Sequence, residues 1–258
     1  IVFVGNNPND NGEKKKMPCH RILPVLETLE HIQHVVLMKD IPLSNHEKMV
    51  TWFDFIKFGN DINESEIHSK LNNINENDTA SLIYTSGTTG NPKGVDLTHA
   101  NWSFVVSRAE EILQFNQGEK YVSWLPLAHV FGQLVDNHSW IKDATHLHVV
   151  DSPLNVVDYA KEVKPHLFIG VPRIYEKIYS NLKSVIDSKT VIRVGLKIPL
   201  VSSIFKGLLK NAVGFSNTRY AGTGAAPINP EILKLFLSLG IPLYEGYGMT
   251  ENTAIATT

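Results

Sequence analysis

Short apolar runs and longer amphipathic stretches take turns along the chain. Residues 1–4, IVFV, predict a short buried strand, and RILPVLETLEHI sets Ile22, Val25, Leu26 and Leu29 at helical spacing. HVVLMKD is the next apolar run, so strand, helix and strand follow one another as in the βαβ unit of a parallel sheet. ASLIYTSG predicts a strand, and THANWSFVVSRAEEIL a helix with Thr98 at its N-cap. KYVSWLPLAHVFGQ predicts a strand ending at Pro126, and HLHVV and HLFIGVP are further strands. PEILKLFLSLG predicts a helix that Gly240 ends, and IPLYEGYG a strand opening into a loop. No internal repeat is visible. The alternation predicts an α/β fold of mostly parallel sheets flanked by helices.

Two stretches break the rhythm. GNDINESEIHSKLNNINENDT is polar and rich in asparagine, and predicts a surface connection with a short helix, a candidate boundary between subregions. Residues 195–215, GLKIPLVSSIFKGLLKNAVGF, place Val201, Ile204, Phe205, Leu208 and Leu209 on one helical face, with Lys206 and Lys210 elsewhere. Such a helix packs on its own core or lies on a membrane surface; the pattern leaves both open.

Composition narrows the classes. The chain has 258 residues, 43% of them hydrophobic, with a net charge of −2. That balance gives no electrostatic case for nucleic acid as a partner. One cysteine, Cys19, excludes an internal disulfide and fits a reducing, cytoplasmic compartment. No apolar run is long enough to span a bilayer. The first residue already belongs to a strand-like run, and the last residues carry no helix stop. The expectation is an internal piece of a longer protein, roughly residues 1–150 and 151–258 as two α/β subregions.

The chemistry concentrates in TSGTTGNPKG, residues 85–94. Gly87, Gly90 and Gly94 permit positive φ and close approach of the main chain. Backbone N–H groups in such turns converge on an anion. Thr85, Ser86, Thr88 and Thr89 add hydroxyls, and Lys93 a point charge. This suits a polyphosphate. It is not the Walker loop, because Lys93 is followed by Gly94 and not by Ser or Thr.

YTSGTTGNPKGV resembles the phosphate-loop signature of the adenylate-forming superfamily, which includes acyl-CoA synthetases, luciferases and peptide-synthetase adenylation domains. Three further segments match it in family order. WLPLAHVFGQ, residues 124–133, resembles the segment with the acyl-pocket histidine; GTGAAP, residues 222–227, the adenine-side loop; and YEGYGMTENT, residues 244–253, the Y-G-x-T-E motif. GVPRIYEKIY, residues 170–179, resembles the V-P-R-x-x-E-K segment of long-chain fatty acyl-CoA synthetases.

The resemblance implies part of the large domain of the acyl-adenylate-forming enzyme fold, with the C-terminal lid domain and its catalytic lysine absent. It implies a ligase that activates a long-chain fatty acid with ATP and Mg²⁺ and passes the acyl group to coenzyme A. Ligation of an aryl or medium-chain acid, and nucleotide binding without turnover, are the alternatives. Tyr247, between Gly246 and Gly248, would stack on adenine, with Gly224, Ala225, Ala226 and Glu245 nearby. Thr250 would face the α-phosphate, Glu251 would hold Mg²⁺, and His129, one of eleven histidines, would lie beside the substrate carboxylate. Without the motif, Tyr247 reads as a core tyrosine and Glu251 as solvated surface. The expected location is the cytoplasm, with peripheral contact to an intracellular membrane.

Overall fold

The structure, a computed structural model, describes residues 1–4, 22–38, 46–86 and 90–257. Cys19, Gly87, Thr88 and Thr89 lie outside the described residues. The chain divides into two compact units, residues 1–74 and 75–258. The division falls within the asparagine-rich connection, whose helix α2 (Glu64–Asn72) has no buried residue and follows α1 (Trp52–Lys57). Strands from both sides of residue 150 pair in one sheet.

The first unit holds a parallel sheet of β1 (Val2–Val4), β2 (Val35–Leu37) and β3 (Met49–Thr51) in that order. The crossover from β1 to β2 contains a 3₁₀ helix, Leu23–Thr28, instead of the expected α-helix. Pro24 near its start and a run of only six residues limit it to this tighter turn. Of the four apolar residues predicted for its inner face, Leu26 is fully buried, beside Val4, Val35, Leu37 and Met49.

The second unit is built on five parallel strands. They are β6 (Lys120–Ser123), β7 (His146–Val149), β8 (Leu167–Gly170), β9 (Tyr220–Thr223) and β10 (Leu243–Glu245), in the order β10-β9-β8-β6-β7. Side chains alternate between its faces, as the pleat requires. Val122, Phe168 and Ala221 enter one core, and Tyr121, Leu167 and Ile169 the other. The first core is covered by α5 (Val156–Val163), α6 (Pro172–Ser188), α8 (Pro199–Ala212) and α9 (Pro230–Ser238). The short α7 (Thr190–Gly195) precedes α8. The second core is covered by α3 (His99–Leu113) and α4, a helical run made of Val130–Gly132, the π-helical Gln133–Ser139 and Trp140–Asp143.

The strand before the glycine loop does not join this sheet. β4 (Thr79–Thr85) pairs antiparallel with β5 (Lys93–Thr98) as a two-stranded ribbon. Lys93 is therefore the first residue of a strand, opposite Thr85. The expected caps form at the helices around the site. Thr98 and Asn101 make a reciprocal capping box on α3, and Gly240, at φ 76°, ends the α9 segment.

Candidate active site

Chain order runs from β6 outward to β7, then returns to β8 and proceeds the other way to β9 and β10. β6 and β8 are thus adjacent strands whose connections leave in opposite directions, which is where open α/β sheets hold ligands. A cavity of about 1020 Å³ lies there. Segments at the carboxyl ends of four strands line it: Trp124 to His129 after β6, Gly170 and Val171 at β8, Thr223 to Ala225 at β9, and Gly246 to Glu251 after β10. The ribbon contributes Thr85, Ser86 and Lys93.

Most of the residues singled out from sequence therefore meet at one cavity. Thr85, Ser86, Lys93, His129, Gly224, Ala225, Gly246, Tyr247, Gly248, Thr250 and Glu251 are in its wall. Gly90, Ala226 and Glu245 are not. Glu245 instead braces the loops. Its carboxylate accepts the Ile228 N–H at 3.2 Å, tying the end of β10 to the segment that follows the β9 loop. Lys93 and Thr250 share the wall, and β5 packs against the 3₁₀ turn Thr250–Asn252.

The backbone explains why these loops are rich in glycine. Gly246 N donates to the Thr223 carbonyl at 2.8 Å, extending the β9–β10 pairing into the loops. A Cβ on Gly248 would sit 1.5 Å from the Ala254 carbonyl oxygen, so no other residue fits that crossing. The chain then folds back, with Tyr247 N donating to Thr257 O and Ala256 N to Tyr247 O. This return fixes the Tyr247 backbone while its side chain stays 62% exposed. The core-tyrosine reading of Tyr247 does not hold.

His129 caps the start of α4. Its Nδ1 accepts the Phe131 N–H at 3.2 Å, which leaves Nε2 as the ring's donor. Gly132 lets the loop close, since a Cβ there would lie 2.4 Å from the Pro126 carbonyl oxygen. Trp124 Nε1 donates to Ile169 O at 2.8 Å and joins the ends of β6 and β8. Below them the Tyr175 hydroxyl lies 3.0 Å from the carbonyl oxygens of Phe168 and Gly222. The tyrosine of VPRIYEK is thus a buried brace between β8 and β9, and its burial pushes its pKa well above the ordinary value.

Several wall residues were not singled out from the sequence, although Thr223 lies within GTGAAP. Thr223 is buried, and its hydroxyl has no hydrogen-bond partner among the described residues. A buried hydroxyl without a partner at a cavity wall calls for an explanation, and a ligand group is one. Much of the rest of the wall is apolar: Ala109, Ile112 and Leu113 from α3, Leu134 and Val135 from the π-helical segment, and Leu167 and Ile169 from β8. Their signal was ordinary helical and strand spacing, which marks a core and a channel alike. Beside the π-helical wall, Asp136 accepts the Ser123 hydroxyl at 2.5 Å, and burial raises its pKa.

The α3 end of this wall is held by an ion pair. Arg219 donates to Glu119 from Nε at 2.7 Å and Nη2 at 2.6 Å. Its guanidinium also reaches the Leu113 and Gln114 carbonyls, and the Tyr220 hydroxyl donates to Ile112 O. These bonds satisfy the last carbonyls of α3 and fasten the helix to β9. Burial pushes Glu119 upward, but hydrogen bonds from Arg219 and Asn116 outweigh it and leave its pKa at about 2.

Among the described residues no group of three or more His, Cys, Asp or Glu side chains could hold a metal, and no helix is long and apolar enough to cross a membrane. Glu251 lines the cavity beside Thr250. One carboxylate completed by phosphate oxygens and water is an ordinary Mg²⁺ environment, so the residues present fit an ion that arrives with a nucleotide.

Known proteins resemble this chain in sequence and in fold. A long-chain-fatty-acid–CoA ligase, ACSBG2, of Xenopus laevis is 33% identical over 90% of this chain, which spans 36% of that protein. The Gallus gallus ACSBG2 is 31% identical over 93% of this chain, again across 36% of the relative. The chain thus spans little more than a third of either relative's length. The A-PCP didomain of a carboxylic acid reductase from Segniliparus rugosus, solved with AMP, matches the fold with a TM-score of 0.63 at 19% identity, over 90% of this chain and 34% of that one. The O-succinylbenzoate coenzyme A synthetase of Bacillus subtilis matches at 0.58 and 19%, over 91% and 42%. At such identities the likeness is one of fold. The family model for AMP-binding enzymes matches residues 1–258 from end to end, and the chain belongs to that family.

Proposed function

We propose that this cavity holds a fatty acyl adenylate, and that the protein to which the chain belongs joins a long-chain fatty acid to coenzyme A at the expense of ATP. The observation that carries the reading is the division of one cavity wall. Lys93, Thr250, Glu251 and the exposed Tyr247 gather in it at strand ends, and apolar side chains, aliphatic Ile112, Leu113, Leu134, Val135 and Ile169 with aromatic Phe115 and Phe131, make up much of the rest. A nucleotide needs the first and an acyl chain the second. The volume, about 1020 Å³, is at the top of the range that encloses a drug-sized ligand. The ACSBG2 relatives, named as long-chain-fatty-acid–CoA ligases, support the choice of acid.

In this reading the fatty carboxylate attacks the α-phosphorus, pyrophosphate leaves, and the coenzyme A thiol then displaces AMP. A carboxylate needs no base for the first step. The protein's work is to orient and to stabilise charge. Tyr247 stacks on the adenine between Gly246 and Gly248, with Gly224 and Ala225 along its edge. Lys93, Ser86 and Thr85 face the phosphates, and Thr250 the α-phosphate. His129 Nε2 donates to the carboxylate of the acid. Mg²⁺ on Glu251 would supply further charge neutralisation at the phosphates. The acid is one that partitions into bilayers, so peripheral contact with an intracellular membrane fits this chemistry.

The test is calorimetric titration of the chain with AMP and with palmitoyl sulfamoyl adenosine, an inert stand-in for the adenylate. The analogue should bind at least tenfold more tightly than AMP, and the octanoyl analogue should fall between them. Equal affinity for all three would reduce the site to nucleotide binding. Preference for the octanoyl or an aryl analogue would change the acid.

A further inference from the structure

Helix α8 carries more apolar surface than the core beneath it takes up. Of the residues that sequence places on one face, Leu209 is buried, and Phe205 lies against Gly195, where a Cβ would come within 2.1 Å of its ring. The other edge of that face is open. Leu200, Ile204 and Leu208 recur at every fourth residue and are 90%, 61% and 61% exposed. Val191 and Val194 of α7 are exposed beside them in sequence. Side chains spaced by four lie along one stripe of a helix, so this is a continuous aliphatic band facing solvent.

The charges of the same segment are one-sided. Residues 189–212 carry five cations, Lys189, Arg193, Lys197, Lys206 and Lys210, and no acid; the next acidic residue is Glu231. None of the five has an ion-pair partner among the described residues, whereas Lys161, Lys183 and Lys234 on neighbouring helices pair with Asp158, Asp187 and Glu231. The excess stands out in a chain whose net charge is −2. A second copy docking through its own α8 would bring like charges together, which disfavours that occupant. Nucleic acid would use the cations and leave the aliphatic band wet. The interface of an anionic bilayer uses both.

We infer that α7 and α8 dock on an anionic membrane surface, with Leu200, Ile204 and Leu208 inserted at the level of the acyl chains and the lysines among the headgroups. No residue of either helix lines the cavity, so this surface stands independently of the proposed reaction.

Vesicle co-sedimentation tests it. The chain should pellet with phosphatidylcholine vesicles holding 30% phosphatidylserine and at least tenfold less with pure phosphatidylcholine. Replacing all three aliphatics, Leu200→Ser, Ile204→Ser and Leu208→Ser, should reduce binding tenfold or more. So should Lys197→Glu with Lys210→Glu. The three aliphatic side chains and Lys197 are exposed and Lys210 is half-buried, so thermal unfolding of the serine variant should be unchanged. In a separate variant, Ile204→Trp, fluorescence should be quenched by lipids brominated on the acyl chain. Failure of the wild-type chain to pellet, full binding by the triple serine variant, or an unquenched tryptophan at position 204 overturns the inference. So does a dimer that the serine substitutions convert to monomer, which would identify a second copy as the occupant.

Discussion

Tyr247 owes its use to a conflict between backbone and side chain. The backbone is pinned by the return of residues 256 and 257, yet the ring stays largely in solvent. Replacing it with Ala should weaken binding of the adenylate analogue by about 1–3 kcal/mol, and Phe should restore most of that, if stacking is what the ring does. Titration of both variants decides, and damage from Phe equal to that from Ala would assign the work to the hydroxyl. Glu251→Gln keeps the shape and removes the charge. It should abolish the gain in ATP affinity that added Mg²⁺ brings, measured as paired titrations with and without the ion. Gly248→Ala must displace the Ala254 carbonyl, a backbone atom, and should cost tenfold or more in analogue affinity. At this scale the sequence was informative wherever chemistry forces a residue type, as with Lys93, Thr250 and Glu251. It placed Thr223 and Gly132 inside matched segments but did not single them out, because the first matters for having no partner and the second for a carbonyl that sequence does not bring near.

Elements were legible where a local signal ends them. The capping box of α3 is local, and so is the Gly240 stop. Pairing is not local, so the antiparallel ribbon β4–β5 could not be separated by sequence from the parallel sheet beside it. The clasp of α3 onto β9 is another such fact, since Glu119 and Arg219 are a hundred positions apart. Glu119→Gln leaves Arg219 facing a neutral partner and should destabilise the fold by roughly 3 kcal/mol at pH 7. The pKa of Glu119 is depressed from 4.5 to about 2, so its contribution is complete above pH 4.5 and is lost as pH falls towards 2. Urea unfolding of the two proteins should therefore give a wide gap at pH 7 and a narrower one at pH 3.5.

The whole second unit behaves as a frame around one crevice, whose wall combines charged and polar groups at strand ends with apolar side chains. Ligands that reach both parts of the wall should stabilise it more than ligands that reach one. Palmitoyl sulfamoyl adenosine should raise the melting temperature further than the octanoyl analogue at equal concentration, with AMP giving the smallest shift. Fold class and the position of the crevice follow from alternating elements and the rule of strand ends. The strand order does not, because it depends on which non-local pairs win.

That strand order bears on how the protein comes to be able to bind. β6 is flanked by β7 and β8, which come later in the chain, and β9 follows α6, α7 and α8 in sequence. Much of the crevice is therefore closed by contacts between distant segments, and such contacts form late because loop closure opposes them. Helical signal should return early in refolding from urea, whereas competence to bind the adenylate analogue should appear only in the slowest phase. A ligand added at the start would find nothing to bind, and would change the rate of unfolding far more than the rate of folding.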